Sequence, residues 1–456
     1  MKKIVLSLIQ PLKRNILLLI ISLLANNLYA VDIFVNPNIL PGAVPNTYTT
    51  LVAALNASNN GDRVFIKSGS YTTQAITLTK SLIISPDTSG GSVTMSDGFY
   101  VEGFAGMKLQ ILGITAPYLT ANPGSPTSAD RAKIYVIDCH FGNLSIDQDN
   151  YDLSCARTWV DNNTTFRKGS FVISKTNNLY VNAEPGGGNV ADTINKIMIV
   201  ADTIAGALQY NGDNFKMLIA NNLLNHLWIT KWNWYTGNTN YIINNEFVNG
   251  NTLHFPTTNV PYYNFDVSNN MFNSFAFYTQ NVNLGMPPYS PCNSCTPPPP
   301  NYRIYANNMG VPSNYSFSCF YNPPPVWYTF NCNYSFGGNS NANSCPFPNI
   351  DVPGIFRWSY NGFTLSGSGT AGNLAFVNIP GSTNIINSGN PETQFYDIDL
   401  TLNDRGREGG PYSILNYLPS ANPSNSKAFI FDLEIPTTLQ PSTQSIKVRA
   451  QGYHRN

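Results

Sequence analysis

Short runs of alternating apolar and polar residues recur along this chain, each running into paired asparagines and a further apolar residue. The pattern occurs at residues 215–223 (FKMLIANNL), 241–247 (YIINNEF), 265–272 (FDVSNNMF) and 302–309 (YRIYANNM). Alternation of this kind is the signature of strands buried on one face. The first asparagines of the pairs, at 221, 244, 269 and 307, are separated by 23, 25 and 38 residues. The first two intervals are those of one solenoid coil each. The third exceeds a coil because residues 286–300 hold a CxxC and a run of prolines, which cannot sit in a central strand and are expected to project as a loop. Weaker versions at residues 108–114, 134–141, 171–179, 196–204 and 328–336 extend the array over most of the chain.

A single coil has no means of burying its inward Ile, Leu, Phe and Val, whereas stacked coils bury them against one another and share one backbone ladder. Asparagine tolerates the left-handed backbone of a tight bend. Stacked at one height, its amides can also hydrogen-bond along the ladder. Asn221, Asn222, Asn244, Asn245, Asn269, Asn270, Asn307 and Asn308 are therefore read as a structural asparagine ladder.

Residues 48–85 include LVAAL at 51–55, Gly61-Asp62 before an apolar run to Ile66, Gly69-Ser70-Tyr71, and SLII at 81–84. This stretch resembles the opening of pectin-lyase-like β-helix proteins, in which a short amphipathic helix caps the first coil. Residues 385–391 (IINSGNP), with Asp397, Asp399, Asn403-Asp404, Gly406 and Gly409-Gly410-Pro411, are similar to the closing segment of exported β-helix proteins. The resemblance implies an all-β fold, a right-handed parallel β-helix over residues 31–411 with an N-terminal amphipathic cap. Alternating runs at 427–435 and 445–453 predict a C-terminal hairpin within 412–456, a cap or an attachment signal.

The N-terminus carries Lys2, Lys3, Lys13 and Arg14, an apolar run from 16 to 25, and Ala30. That layout predicts a signal peptide over residues 1–30 and an exported protein, extracellular or at the cell surface. The run is shorter than the ~20 residues a membrane-spanning helix needs. Charged residues are only 11% of the chain, 25 basic against 25 acidic and dispersed, which argues against nucleic acid as a partner and suits a neutral glycan. Seven cysteines (139, 155, 292, 295, 319, 332 and 345) predict disulfides with a thiol left over. Zinc at Cys292 and Cys295 is a weaker alternative, because no histidine lies between His254 and His454.

Catalytic strings of the resembling enzyme families are missing: no Asn-Thr-Asp, Asp-Asp or Gly-His-Gly set of the hydrolases, no Asp-Phe-x-Phe-Gly of the esterases, and no acidic cluster beside Lys175, Lys216, Lys231 or Arg303 as a lyase would need. Two candidate sites stand out. His226, Trp228, Trp232, Trp234 and Tyr235, with His254 one coil on, form a candidate carbohydrate platform, since aromatic faces stack on sugar faces. Asp397, Asp399, Asn403 and Asp404, with Glu408 nearby, offer oxygens for calcium. Asp147, Asp149 and Asp152 read as a solvated acidic turn. The expectation is a polysaccharide-binding protein. The alternatives are a polysaccharide lyase or glycoside hydrolase, and an adhesin or structural surface protein whose protein contact is the 286–300 loop.

Overall fold

The computed structural model describes residues 30–40, 42–88, 90–127, 129–183, 196–212, 216–231, 240–247, 253–254, 265–272, 282–283, 303–306, 314–319, 328–333, 350–352, 356–359, 362–363, 387, 389–397, 400–404, 406–413, 428–434 and 449–454. Residues 1–29 of the predicted leader, Trp232, Trp234, Tyr235, Asn307, Asn308, Asp399, Cys292, Cys295 and Cys345 lie outside them.

The chain winds as a parallel β-helix solenoid built on two long sheets, each of fourteen strands among the described residues. Successive coils contribute one strand to each sheet: Ala132–Ile137 then His140–Ile146, Tyr151–Ala156 then Trp159–Phe166, Gly169–Val172 then Lys175–Asn182, Lys196–Val200 then Thr203–Asn211, Lys216–Ala220 then Leu223–Lys231. Register carries the apolar alternation from coil to coil. Ile111, Val136, Cys155, Phe171, Ile199, Ile219, Ile242 and Val267 stack as one inward column of the first sheet. All are buried, and each such aliphatic side chain contributes about 1.5–3 kcal/mol.

The first coil is closed by one short helix, Leu51–Ala57, which buries Leu51, Ala54 and Leu55. Thr50 caps its start by accepting the Ala53 N–H at 3.2 Å. Lys80 Nζ donates to the Leu55, Asn56 and Ser58 carbonyls at 2.8, 3.2 and 2.6 Å, placing a cation where the helix ends. The Gly61-Asp62 pair has a mechanical role here. The Asp62 carboxylate accepts the N–H groups of Val31 (2.8 Å) and Asn59 (2.7 Å), tying the chain start to the exit of the helix.

From Gly113 to Asn270 the described coils turn between the two sheets at a two-residue corner. Its first residue is left-handed in Gly113, Asp138, Arg157, Ile173, Ala201, Asn221, Asn244 and Asn269. The main chain bridges the corners: the N–H groups of Asp138, Ile173, Asn221 and Asn244 donate to the next coil at 3.0–3.2 Å. The second corner residue's N–H has no such carbonyl and is satisfied by a side chain instead. Cys139 N–H donates to Thr158 Oγ1 (3.4 Å), Thr158 to Ser174 Oγ (3.1 Å), Ser174 to Asp202 Oδ1 (2.6 Å), Asp202 to Asn222 Oδ1 (2.9 Å), Asn222 to Asn245 Oδ1 (3.1 Å) and Asn245 to Asn270 Oδ1 (2.9 Å). Each buried donor left without its acceptor would cost about 1–3 kcal/mol.

The two asparagines of a pair thus part company. Asn222, Asn245 and Asn270 point inward on the ladder, while Asn221, Asn244 and Asn269 sit at the outer corner and bind the segment around 387–413. Asn221 Nδ2 donates to the Arg407 carbonyl at 2.9 Å and also to that of Gly409. Asn244 Nδ2 donates to Asn403 Oδ1 (2.9 Å) and the Asp404 carbonyl (2.8 Å), and Asn269 Oδ1 accepts the Asn390 N–H (2.7 Å). Phe395 and Tyr412 of this strap pack on an outward apolar cluster that includes Leu112, Ile137, Val172, Val200 and Ile243, one residue beyond the inner column.

One expectation needs correction. The 302–309 and 328–336 repeats are not coils: Arg303–Ala306 pairs antiparallel with Asn314–Cys319, and that strand with Tyr328–Asn333, in a separate sheet with Val282–Asn283. The solenoid passes instead from Phe265–Ser268 to Phe356–Ser359 in parallel register. The 38-residue interval was thus the sign of an insertion rather than of a coil with a long loop. Cys139 and Cys155 are free and buried, so neither forms a disulfide with the other. The C-terminal strands Ala428–Glu434 and Arg449–His454 form an antiparallel pair. No helix among the described residues is long and apolar enough to cross a membrane.

Candidate functional site on the outer face of the second sheet

The second-sheet strand Leu223–Lys231 buries Leu224, Leu227 and Ile229 inside the solenoid and turns His226 and Trp228 outward. Trp228 is 40% exposed, one of the few large exposed side chains of the solenoid. The His226 ring lies 6.1 Å from it, tilted by 42°. Burial of part of the imidazole lowers the His226 pKa, which keeps it neutral at physiological pH. Register places Gln209 beside Trp228 on the preceding strand, Tyr180 before that, and His254 at the following position. His226 and Trp228 are therefore brought together on one sheet face, and the backbone of residue 254 is in register with that of Trp228.

Four coils are enough to link this patch to a second one that the sequence did not reveal. His140, Trp159 and Lys175 are direct register neighbours on three consecutive strands. The His140 and Trp159 rings stack at 5.0 Å with 22° between planes, and Lys175 Nζ lies 5.5 Å from the indole centroid. His140 Nε2 meets Asp161 Oδ1 at 2.9 Å. Burial lowers the Lys175 pKa, and the neighbouring indole face favours its cationic form. Trp159 is 42% exposed, but imidazole and ammonium lie against its ring.

Between the patches runs an exposed amide row. Asn178 Nδ2 donates to Asn163 Oδ1 at 3.1 Å, Asn163 N–H to Asn143 Oδ1 at 3.4 Å, and Ala207 N–H to Asn178 Oδ1 at 3.0 Å. Amides, neutral imidazole and indole edges make a surface of hydrogen-bonding groups with little net charge. Such a surface matches hydroxyl-rich, uncharged ligands. The clue to the missed patch lay in His140, Trp159 and Lys175 being separated by one coil each, legible only once the corners at 138, 157 and 173 are located.

Of the calcium candidates, Asp397, Asn403 and Asp404 make hydrogen bonds within the strap and to the coils. Asp397 Oδ1 accepts the N–H groups of Gly410 and, at 3.4 Å, Asp404; Asp404 Oδ1 accepts the Asn387 N–H at 2.6 Å; Asn403 exchanges hydrogen bonds with Asn244. These oxygens cap the turns of the strap. Among the described residues there is no group of three or more His, Cys, Asp or Glu that would hold a metal ion. In the acidic turn, Arg167 Nε pairs with Asp147 at 2.9 Å and Arg167 also contacts Asp149, while Arg131 Nε pairs with Asp152 at 2.6 Å. Glu246 and Arg407, 3.6 Å apart and largely buried, add an ion pair between coil and strap. Burial raises the Glu246 pKa and Arg407 opposes that shift.

Comparison with family models, curated proteins and solved structures finds no match to this chain.

Proposed function

We propose that the chain is an exported β-helix protein of the pectin-lyase-like kind that holds an uncharged extracellular polysaccharide on the outer face of its second sheet without cleaving it. The observation that carries this reading is Trp228, exposed beside a neutral His226 and in register with Gln209 and Tyr180. An indole with amide and hydroxyl neighbours supplies both the stacking and the directional contacts that sugar recognition uses. The test is retention of the purified protein on a panel of neutral and acidic polysaccharides, with new reducing or unsaturated ends measured in parallel. Retention on a neutral polymer, lost in Trp228→Ala and without new ends, is expected; retention by acidic polymers alone would overturn the reading.

A second, catalytic reading draws on the His140–Asp161 pair, since a carboxylate-oriented imidazole is the arrangement of a general base. Cleavage of any polymer, abolished by His140→Ala, would favour it over binding alone.

A further inference from the structure

The inner ladder has one member of the wrong chemistry. In the asparagine coils each side chain does two things: Oδ1 accepts the N–H of the preceding ladder residue, and Nδ2 donates to the carbonyl three residues before it. Asn222 Nδ2 reaches the Ile199 carbonyl at 2.9 Å, Asn245 Nδ2 that of Ile219 at 2.9 Å, and Asn270 Nδ2 that of Ile242 at 2.8 Å. Hydroxyls keep the same economy lower down, Ser174 Oγ donating to the Val172 carbonyl at 2.9 Å and Thr158 Oγ1 to that of Ala156 at 3.1 Å.

Asp202 occupies this position between Ser174 and Asn222. Its Oδ1 accepts the Ser174 N–H at 2.6 Å, and its own N–H is taken by Asn222 Oδ1. Its Oδ2, standing where the asparagines carry their donor nitrogen, is buried and has no hydrogen-bond partner. By the spacing of the other coils, the carbonyl facing it belongs to Phe171. A carboxylate oxygen has nothing to give a carbonyl, whereas a carboxylic acid has one O–H.

We propose that Asp202 is carried in the folded solenoid as a neutral carboxylic acid whose Oδ2–H serves in place of the asparagine amide, so that this corner tightens in acid and loosens as the pH rises. Among the described residues no cation acts on it. The adjoining coil presents Phe171, Ser174 and Thr176 at the matching buried positions and the next presents Ile219, Asn222 and Leu224. The titratable group interacting with Asp202 is the buried Cys155 thiol, itself pushed up chiefly by burial. Burial likewise raises the Asp202 pKa well above the ordinary carboxylate value of 3.8, the main-chain hydrogen bonds with Ser174 and Val200 opposing it only in part. A folded-state pKa above the unfolded one gives stability that is complete below about pH 4 and is lost as the pH climbs through the folded value.

Thermal unfolding of the full-length protein and of Asp202→Asn from pH 4 to pH 9 tests this. Asparagine needs no proton, so the variant is expected to gain on the wild type steadily with pH and to melt higher by about 2 °C or more at pH 8. A difference between the two that stays constant across the range would overturn the proposal. Isotope-edited infrared spectra of the wild type, with aspartate carboxyls labelled, give an answer independent of any variant. A protonated aspartate band in the folded protein at pH 7, lost on unfolding, is expected, and its absence would overturn the proposal.

Discussion

The inner corner ladder and the outer face of the second sheet use the same side chains to opposite ends. Inside, Asn222, Asn245 and Asn270 are wholly buried, and each is spent on a main-chain donor and a main-chain acceptor of neighbouring coils. Outside, Asn143, Asn163 and Asn178 form a looser row beside exposed Trp159 and Trp228. Both rows follow from one fact, that a parallel stack repeats whatever a coil carries every ~4.8 Å. Burial decides what the repeat is worth: the inner row satisfies groups that water cannot reach, while the outer row leaves hydrogen-bonding capacity facing solvent.

The contrast can be broken by equivalent substitutions in the two rows. Asn245→Ala strands the Asn222 N–H and the Ile219 carbonyl inside the solenoid and should cost about 3 kcal/mol, read as a shift in the denaturation midpoint. Asn244→Ala, one residue away at the outer corner, removes the grip on Asn403 and Asp404 and leaves alanine at a left-handed position, φ 54°. A loss of about 2 kcal/mol is expected, and hydrogen exchange should show the strap amides of Gly406 and Gly410 opening before the coils. Asn178→Ala on the outer face should move the midpoint by less than about 0.5 kcal/mol. If the inner and outer substitutions cost the same, burial is not what separates the rows.

Where both corner residues are asparagine, at 221, 244 and 269, the sequence displays the fold directly, because one amide suits the left-handed bend and the other the ladder. The corners Asp138-Cys139, Arg157-Thr158, Ile173-Ser174 and Ala201-Asp202 have the same left-handed first residue yet carry a different residue type at each position. What the ladder asks for is a buried acceptor, and hydroxyl, carboxyl and amide all supply it. The outer corner asks only for tolerance of positive φ: Asp138 and Arg157 meet it as a buried ion pair at 2.7 Å, while Ile173 sits within the apolar cluster under the strap. The fourth occurrence of the pattern, at 302–309, misled because an alternating run before paired asparagines is compatible with either a parallel coil or an antiparallel strand. Of the candidate platform, His226 and Trp228 were legible as neighbours on one strand. The His140, Trp159 and Lys175 column was not, since it joins residues from three strands whose spacing depends on corners without asparagine.

Trp228→Ala, followed through both thermal unfolding and retention on the neutral polysaccharide bound by the wild type, tests most directly the claim that the outer face serves binding rather than the fold. A melting temperature within about 1 °C of the wild type and affinity lower by about tenfold are expected, the loss of a contact worth about 1.4 kcal/mol. Unchanged affinity with a lowered melting temperature would contradict it, and would make the exposed indole part of the solenoid's own packing.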